Sequence, residues 1–141
     1  HNGSQEKIYL GNLEARRDWG HAREFVRGMW QMLQQDKPGD YVLATGETHS
    51  VREFVEAAFA HIGIDIKWEG SGVDEVGINP KTGATLVEID AALFRPTEVD
   101  LLLGDASKAK EGVGWEPEMK FEALVHEMVA ADIRATEDTR Q

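Results

Sequence analysis

Two arginine-containing stretches carry the residues best suited to chemistry. RRDWGH spans Arg16–His21, and FRPTEVD spans Phe94–Asp100. An arginine presents a planar fork of donors that matches phosphate oxygens two at a time, and a diphosphate needs donors from more than one side. We therefore predict that Arg17 and Arg95 converge on a diphosphate.

The surroundings of the arginines leave two interpretations open. Arg17 precedes the predicted start of a helix, where backbone N–H groups and the helix dipole favour anions. Glu98, in the sequence R-P-T-E, has a carboxylate suited to accepting hydrogen bonds from both hydroxyls of a ribose. Alternatively, the arginines are surface charges that contribute little. Their partners are then nearby acids, namely Glu14, Asp18 and Glu24 for the first stretch and Glu98 and Asp100 for the second.

The chain lacks the usual sequence signs of proton transfer, hydride transfer and metal binding. It contains no G-x-G-x-x-G turn opening a helix, no P-loop, no H-E-x-x-H and no Y-x-x-x-K. Four histidines without metal-ligand spacing are expected at surface or cap positions; these are His21, His49, His61 and His126. We predict no catalytic, cofactor-binding or metal-binding residue in this sequence.

Composition narrows the class of partner. The net charge is -11, with 26 acidic against 15 basic residues, which disfavours binding to nucleic acid or to an anionic membrane surface. No apolar run approaches the ~20 residues that a membrane-spanning helix needs. There is no cysteine, which excludes disulfides and fits a reducing compartment, so we expect a cytoplasmic protein. The length of 141 residues predicts one domain.

Short strands alternating with amphipathic helices predict an α/β fold, a mixed α+β arrangement. We predict strands at Lys7–Leu10, Tyr41–Ala44 and Ile64–Trp68. Around residues 74–90, glycines and the sequence NPKTG predict an inserted β-hairpin.

Three longer helices and one short helix complete the prediction. The first follows RRDWG and carries one apolar face, made of Ala22, Val26, Met29, Trp30 and Leu33. Ser50 and Glu53 form a capping box at the start of the second. Asp105 caps the short third helix, and Phe121 lies on the apolar face of the last.

From about Gln5 to the last helix, the chain resembles the C-terminal portion of the GDP-mannose 4,6-dehydratases, a family of extended short-chain dehydrogenases/reductases. The strings RDWGHA, RPTEVD and WEGSGVDEVGINPKTG carry this resemblance. It implies conversion of GDP-mannose to GDP-4-keto-6-deoxymannose, the first step towards GDP-fucose. It also implies an N-terminal Rossmann domain that holds NADP and a catalytic Thr, Glu, Tyr and Lys. By motif, Arg17 and Arg95 would bind the diphosphate of the GDP and Glu98 its ribose.

The resemblance sets the expected domain organisation. Residues 1–4 (HNGS) are expected to be a tag remnant, residues 5–135 the C-terminal GDP-sugar-binding lobe of an extended Rossmann-type enzyme, and residues 136–141 a polar tail. The NADP-binding Rossmann domain would lie outside this chain, so the lobe alone is not expected to catalyse. The apolar face of the helix after RDWG should then be exposed, or covered by that domain or a second copy.

Two other functions stay open at this point. One is the lobe of a sister nucleotide-sugar reductase, epimerase or dehydratase. The other is a non-catalytic, acidic interaction module.

Overall fold

The computed structural model describes residues 6–95 and 102–138. Among these residues, contacts define two compact units, where the length alone predicts one domain. The sheet unit comprises residues 6–15, 50–95 and 125–138, and the helical unit comprises residues 16–49 and 102–124. In chain order the elements are β1 (Ile8–Leu10), β2 (Arg16–Arg17), α1 (Ala22–Leu33), β3 (His49–Ser50), α2 (Val51–His61), β4 (Lys67–Glu69), β5 (Val76–Ile78), β6 (Thr85–Ile89), α3 (Ser107–Val113) and α4 (Phe121–Asp138).

A mixed four-stranded sheet organises the sheet unit. Its strand order is β1-β6-β5-β4. β1 runs parallel to β6, with Leu10 opposite Ile89, whereas β5 is antiparallel to both β6 and β4. Val87 on β6 is fully buried, because a central strand has neighbours on both edges. The α/β fold class is thereby confirmed.

The hairpin formed by β5 and β6 confirms the insertion predicted around residues 74–90. Asn79 begins the loop between the strands, and its N–H donates to the Ala84 oxygen at 2.9 Å. The backbone oxygen of Asn79 accepts the N–H of Gly83 at 2.8 Å. Gly83 has a φ of +74°, a conformation that favours glycine.

Helix α2 begins with the predicted capping box. The N–H of Glu53 donates to Ser50 Oγ at 3.0 Å, and the Ser50 N–H donates back to Glu53 Oε2 at 3.3 Å. Ser50 is only 4% exposed, so these bonds satisfy polar groups that water does not reach. After the helix, Gly63 adopts the predicted left-handed conformation with a φ of +77°.

The helical unit is built around Trp115, whose side chain is completely buried. Its indole N–H donates to the backbone oxygen of Glu24 on α1 at 2.7 Å, and its ring lies 5.7 Å from that of Phe25. Gly28 on α1 allows this packing, because a Cβ there would lie 2.8 Å from Trp115 Cδ1. The buried residues of α1 are therefore Glu24 and Gly28, and Phe25 packs beside them against Trp115.

The apolar face of α1 is exposed, as expected if another body covers it. Val26 and Trp30 are each 61% exposed, Met29 is 57% exposed and Leu33 is 82% exposed. A helical stripe of this kind normally faces a core. This surface, Val26, Met29, Trp30 and Leu33, is called the α1 apolar face below.

Three predicted boundaries differ from the structure. Tyr41–Ala44 was predicted as a strand and is not one: none of the strands in the described residues pairs with it, and Val42 is 53% exposed. An apolar run marks burial or contact, whereas a strand also requires a hydrogen-bonding neighbour. Along Ile64–Trp68 the alternation of exposure is as predicted, but the ladder begins only at Lys67. Helix α4 continues to Asp138, into the residues predicted as a polar tail.

Candidate functional site

Asp18, next to Arg17, fixes the backbone of a neighbouring loop. Its Oδ1 accepts the Thr45 N–H at 2.8 Å and the Thr45 hydroxyl at 2.7 Å, and its Oδ2 accepts the Gly46 N–H at 3.0 Å. Bonds to an ionised acceptor are stronger than neutral ones. Asp18 therefore acts as a local anchor in this structure.

The last three residues of the RDWGH sequence also make contacts that hold the local backbone; these are Trp19, Gly20 and His21. The Trp19 indole N–H donates to the His49 oxygen at 3.0 Å. Gly20 lies so close to Phe25 that a Cβ would come within 2.1 Å of its ring. His21 is the N-cap of α1, with Nδ1 accepting the Arg23 N–H at 3.0 Å. These contacts fix the segment between β2 and α1.

The two arginines of this stretch are half-buried on β2. Arg16 donates from Nη2 to the Thr48 oxygen at 2.7 Å, and from Nε to the Thr48 hydroxyl at 3.3 Å. Arg17 donates from Nη1 to the Arg16 oxygen at 2.7 Å. Arg17 is thus held near its own backbone, directly before Asp18, which anchors the loop at Thr45 and Gly46.

Arg95 is exposed and is the last residue of the first described range, in the sheet unit. Glu98 lies outside the described residues. Because Arg17 belongs to the helical unit, the convergence of Arg17 and Arg95 on one ligand stays a prediction.

An ion-pair cluster around Arg52 lines a cleft that also borders Phe94. Arg52 donates to both Glu75 oxygens at 2.9 and 3.0 Å and from Nε to Glu14 at 2.8 Å. Its guanidinium carbon lies 4.7 Å from the centre of the Trp68 ring. The hydrogen bond that Arg52 donates to Glu75 is the main cause that raises the pKa of Arg52, with desolvation opposing and Glu14 adding to the effect. The cleft measures about 140 Å³.

Sequence reasoning did not identify Arg52, because its acceptor Glu14 lies 38 positions away. The only local signal is its position in the first turn of α2, at the margin of the apolar stripe that predicted the helix. A solvated arginine would produce the same pattern.

Glu24 is a second residue that the sequence did not single out. It is 8% exposed, and its Oε1 accepts the N–H groups of Glu118 and Met119, each at 3.0 Å. The carboxylate thereby supports the segment that leads into α4. Its position in the first turn of α1 predicts only a favourable interaction with the helix dipole.

Two kinds of feature are absent from the described residues, a metal-ligand cluster and a membrane-spanning helix. Within residues 6–95 and 102–138, no three His, Cys, Asp or Glu side chains are arranged to hold a metal ion. No helix in the same ranges is both long and apolar enough to cross a membrane. The site residues that the structure describes on β2 are guanidinium groups, those of Arg16 and Arg17, which donate to backbone oxygens.

Comparison with known proteins identifies the family. The family model described as GDP-mannose 4,6 dehydratase matches residues 1–128. The chain belongs to the GDP-mannose 4,6-dehydratase family. The resemblance carried by RDWGHA and RPTEVD is therefore confirmed.

Named relatives in the GDP-mannose 4,6-dehydratase family are similar along nearly the whole chain. The chain is 59% identical over 139 residues to the GDP-mannose 4,6-dehydratase of Sinorhizobium fredii (strain HH103), covering 99% of this chain and 40% of that protein. It is 55% identical over 131 residues to the Homo sapiens GDP-mannose 4,6 dehydratase, covering 93% and 35% respectively. The chain thus spans well under half the length of these relatives.

Solved structures show the same fold at lower identity. A dTDP-glucose 4,6-dehydratase from Bacillus anthracis str. Ames, in complex with NAD, matches with a TM-score of 0.69 and 19% identity, covering 94% of this chain and 36% of that one. A UDP-glucose 4-epimerase from Bifidobacterium longum, with NAD+ and UDP, matches with a TM-score of 0.63 and 21% identity, covering 88% and 34%. These likenesses confirm the extended short-chain dehydrogenase/reductase fold.

Proposed function

We propose that this chain is the substrate-binding lobe of a cytoplasmic GDP-mannose 4,6-dehydratase, and that it binds the GDP portion of GDP-mannose. The observation that carries the proposal is the family match over residues 1–128, which includes both arginine motifs. In this assignment Arg17 and Arg95 bind the diphosphate and Glu98 binds the ribose hydroxyls.

The parallel pairing of β1 and β6 supports the assignment of Arg95 to the ligand. Leu10 and Ile89 lie opposite each other at the carboxyl ends of these two strands. Arg95 follows a short segment beyond the end of β6. In α/β sheets, ligands bind outside the carboxyl ends of parallel strands. A guanidinium group in that position suits a phosphate of GDP.

The complete protein would convert GDP-mannose to GDP-4-keto-6-deoxymannose with NADP, a cofactor that supplies reversible hydride transfer. This chain has no G-x-G-x-x-G turn running from a strand into a helix, so its residues do not fit the cofactor. NADP would be held by another part of the protein. The role of the present residues is to bind and orient the nucleotide.

Calorimetric titration with GDP and GDP-mannose tests this proposal. Replacing Arg17 or Arg95 with alanine should remove a charge-assisted contact costing about 1.5–3 kcal/mol. Affinity should fall by about 10- to 150-fold. Arg134→Ala is the matched control, because it removes the same charge from an exposed position on α4.

Two results would count against the assignment. One is equal GDP affinity in the wild type and both arginine variants. The other is the absence of binding at millimolar GDP in a sample whose circular dichroism shows it to be folded. Stronger binding of UDP than of GDP would favour a sister nucleotide-sugar enzyme.

We also infer that the α1 apolar face is covered in the complete protein, by the Rossmann domain or by a second copy of the chain. Exposed apolar surfaces of this kind commonly mark interfaces. If a second copy covers it, the isolated chain should dimerise, and Leu33→Glu should shift its sedimentation to that of a monomer. Leu103→Glu is the control, because Leu103 is also exposed but lies outside the face. A monomeric wild type would leave the Rossmann domain as the partner.

A further inference from the structure

Gly11 lies at a close approach of two backbone segments in the sheet unit. It directly follows β1. A Cβ on Gly11 would lie 2.4 Å from the carbonyl oxygen of Leu93 and 2.9 Å from its carbonyl carbon. Both are backbone atoms, so rotation of a side chain cannot relieve the clash. Only a residue without a Cβ allows this contact.

The turn that approaches Gly11 leads directly to Arg95. The Asp90 N–H donates to the Leu10 oxygen at 2.8 Å, which attaches the turn to the end of β1. The Asp90 oxygen accepts the N–H groups of Leu93 and Phe94 at 2.9 and 3.0 Å. The backbone before Arg95 is therefore fixed against the carboxyl end of β1.

We propose that Gly11 is a positioning residue for diphosphate binding, because it sets how closely the Arg95-bearing turn lies against the sheet. The inference rests on the proposed function, since its effect is exerted through Arg95. Gly11 need not touch the ligand itself. A methyl group at position 11 would displace the turn outward.

Displacing the turn should change the position of Arg95 more than it disturbs the core of the sheet unit. Leu93 is 52% exposed, so the turn has solvent on its outer side. The buried centre of the sheet unit lies elsewhere, at Val87 and Val125. A change in ligand affinity without loss of the fold is therefore the expected signature.

A double-mutant cycle measured by GDP titration tests the inference. Gly11→Ala should lower GDP affinity by about tenfold when Arg95 is present, comparable to the loss of a charged hydrogen bond. In the Arg95→Ala background the same change should alter affinity by less than about twofold, because the group it positions is gone. A purely structural role would give the same loss in both backgrounds.

Two further variants support the cycle. Gly39→Ala is the control glycine, since a Cβ there would lie 3.1 Å from side-chain atoms of Tyr41, which can rotate away. If Gly11→Ala does not fold, Asp90→Ala replaces it. That change removes the bond from the Ala92 N–H to Asp90 Oδ1 at 2.8 Å and loosens the same turn.

The outcomes separate the inference from the proposed function. If Arg95→Ala weakens GDP binding but Gly11→Ala does not, the positioning role is overturned and the proposed function stands. Equal losses in both backgrounds also overturn it. If Arg95→Ala binds GDP as the wild type does, the proposed role of Arg95 fails, and the inference fails with it.

Discussion

Alanine at Gly28 tests whether packing or helix propensity decides the stability of α1. In an exposed helix interior, glycine to alanine stabilises by about 1 kcal/mol. Here the new Cβ would lie 2.6 Å from Leu43 Cδ1 and 2.8 Å from Trp115 Cδ1. Trp115 has no exposed surface, so it cannot move aside without repacking the unit.

The opposing effects can be summed. Overpacking a core costs about 1–3 kcal/mol. Displacing Trp115 also weakens its hydrogen bond to Glu24, worth about 0.5–1.5 kcal/mol. Setting these costs against the gain in propensity, we expect Gly28→Ala to lower the free energy of unfolding by about 2 kcal/mol. For a chain of this size, Tm should fall by about 4–8 °C.

Gly112→Ala is the matched control. Gly112 is also inside a helix, α3, but its Cβ would meet ring atoms of Tyr41 at 2.8 Å and beyond. Tyr41 is half-exposed and its ring can rotate into solvent. Thermal unfolding followed by circular dichroism at 222 nm should show an unchanged or slightly raised Tm for this variant. An equal rise in Tm for Gly28→Ala would refute the packing argument.

Two further predictions concern helix starts. Ser50→Ala should lower the free energy of unfolding by about 1 kcal/mol in a denaturant titration, because it removes the acceptor of the Glu53 N–H. Ser50→Thr keeps that acceptor and should cost less. Equal losses in the two variants would contradict the capping role. The Asp105 carboxylate accepts the Ser107 hydroxyl at 2.6 Å and the Ser107 N–H at 2.9 Å, which lowers the pKa of Asp105 from its ordinary value of 3.8. The stabilisation from these bonds is present above the ordinary pKa of Asp105 and is lost as the pH falls through the lowered pKa. Ser107→Ala should therefore raise the Asp105 pKa in an NMR titration. An unchanged pKa would contradict the role given to the Ser107 hydroxyl.

Local signals predicted the local elements well. The capping box at Ser50, the left-handed Gly63 and the hairpin around Asn79–Gly83 each depend on residues within a few positions of one another. The strand predicted at Tyr41–Ala44 failed for the complementary reason. Its apolar residues indicate a segment that packs against other residues. Strand pairing also requires a neighbouring strand, which the run itself does not encode.

The sequence singles out Arg17 and Arg95, whose role in binding stays a prediction, but it does not single out the residues that hold the surrounding structure. Arg17 and Arg95 stand out because arginines in compact motifs suit phosphate. Glu24 and Arg52 do not, because an acid in a first turn and an arginine on a helix normally face water. Their roles arise from Glu118 and Glu14, which only folding brings close.

The side-by-side arrangement of β1 and β6 has a consequence for synthesis on the ribosome. Lys7 and Glu88, which form an ion pair beside these strands, are 81 positions apart in the sequence. The β5–β6 hairpin closes over a short loop and should form quickly once translated, whereas β1 must wait until β6 has been translated. Until then β1 has an uncovered edge that can pair with other nascent chains. Pairing of β1 with β6 is therefore a late event in the assembly of the sheet unit.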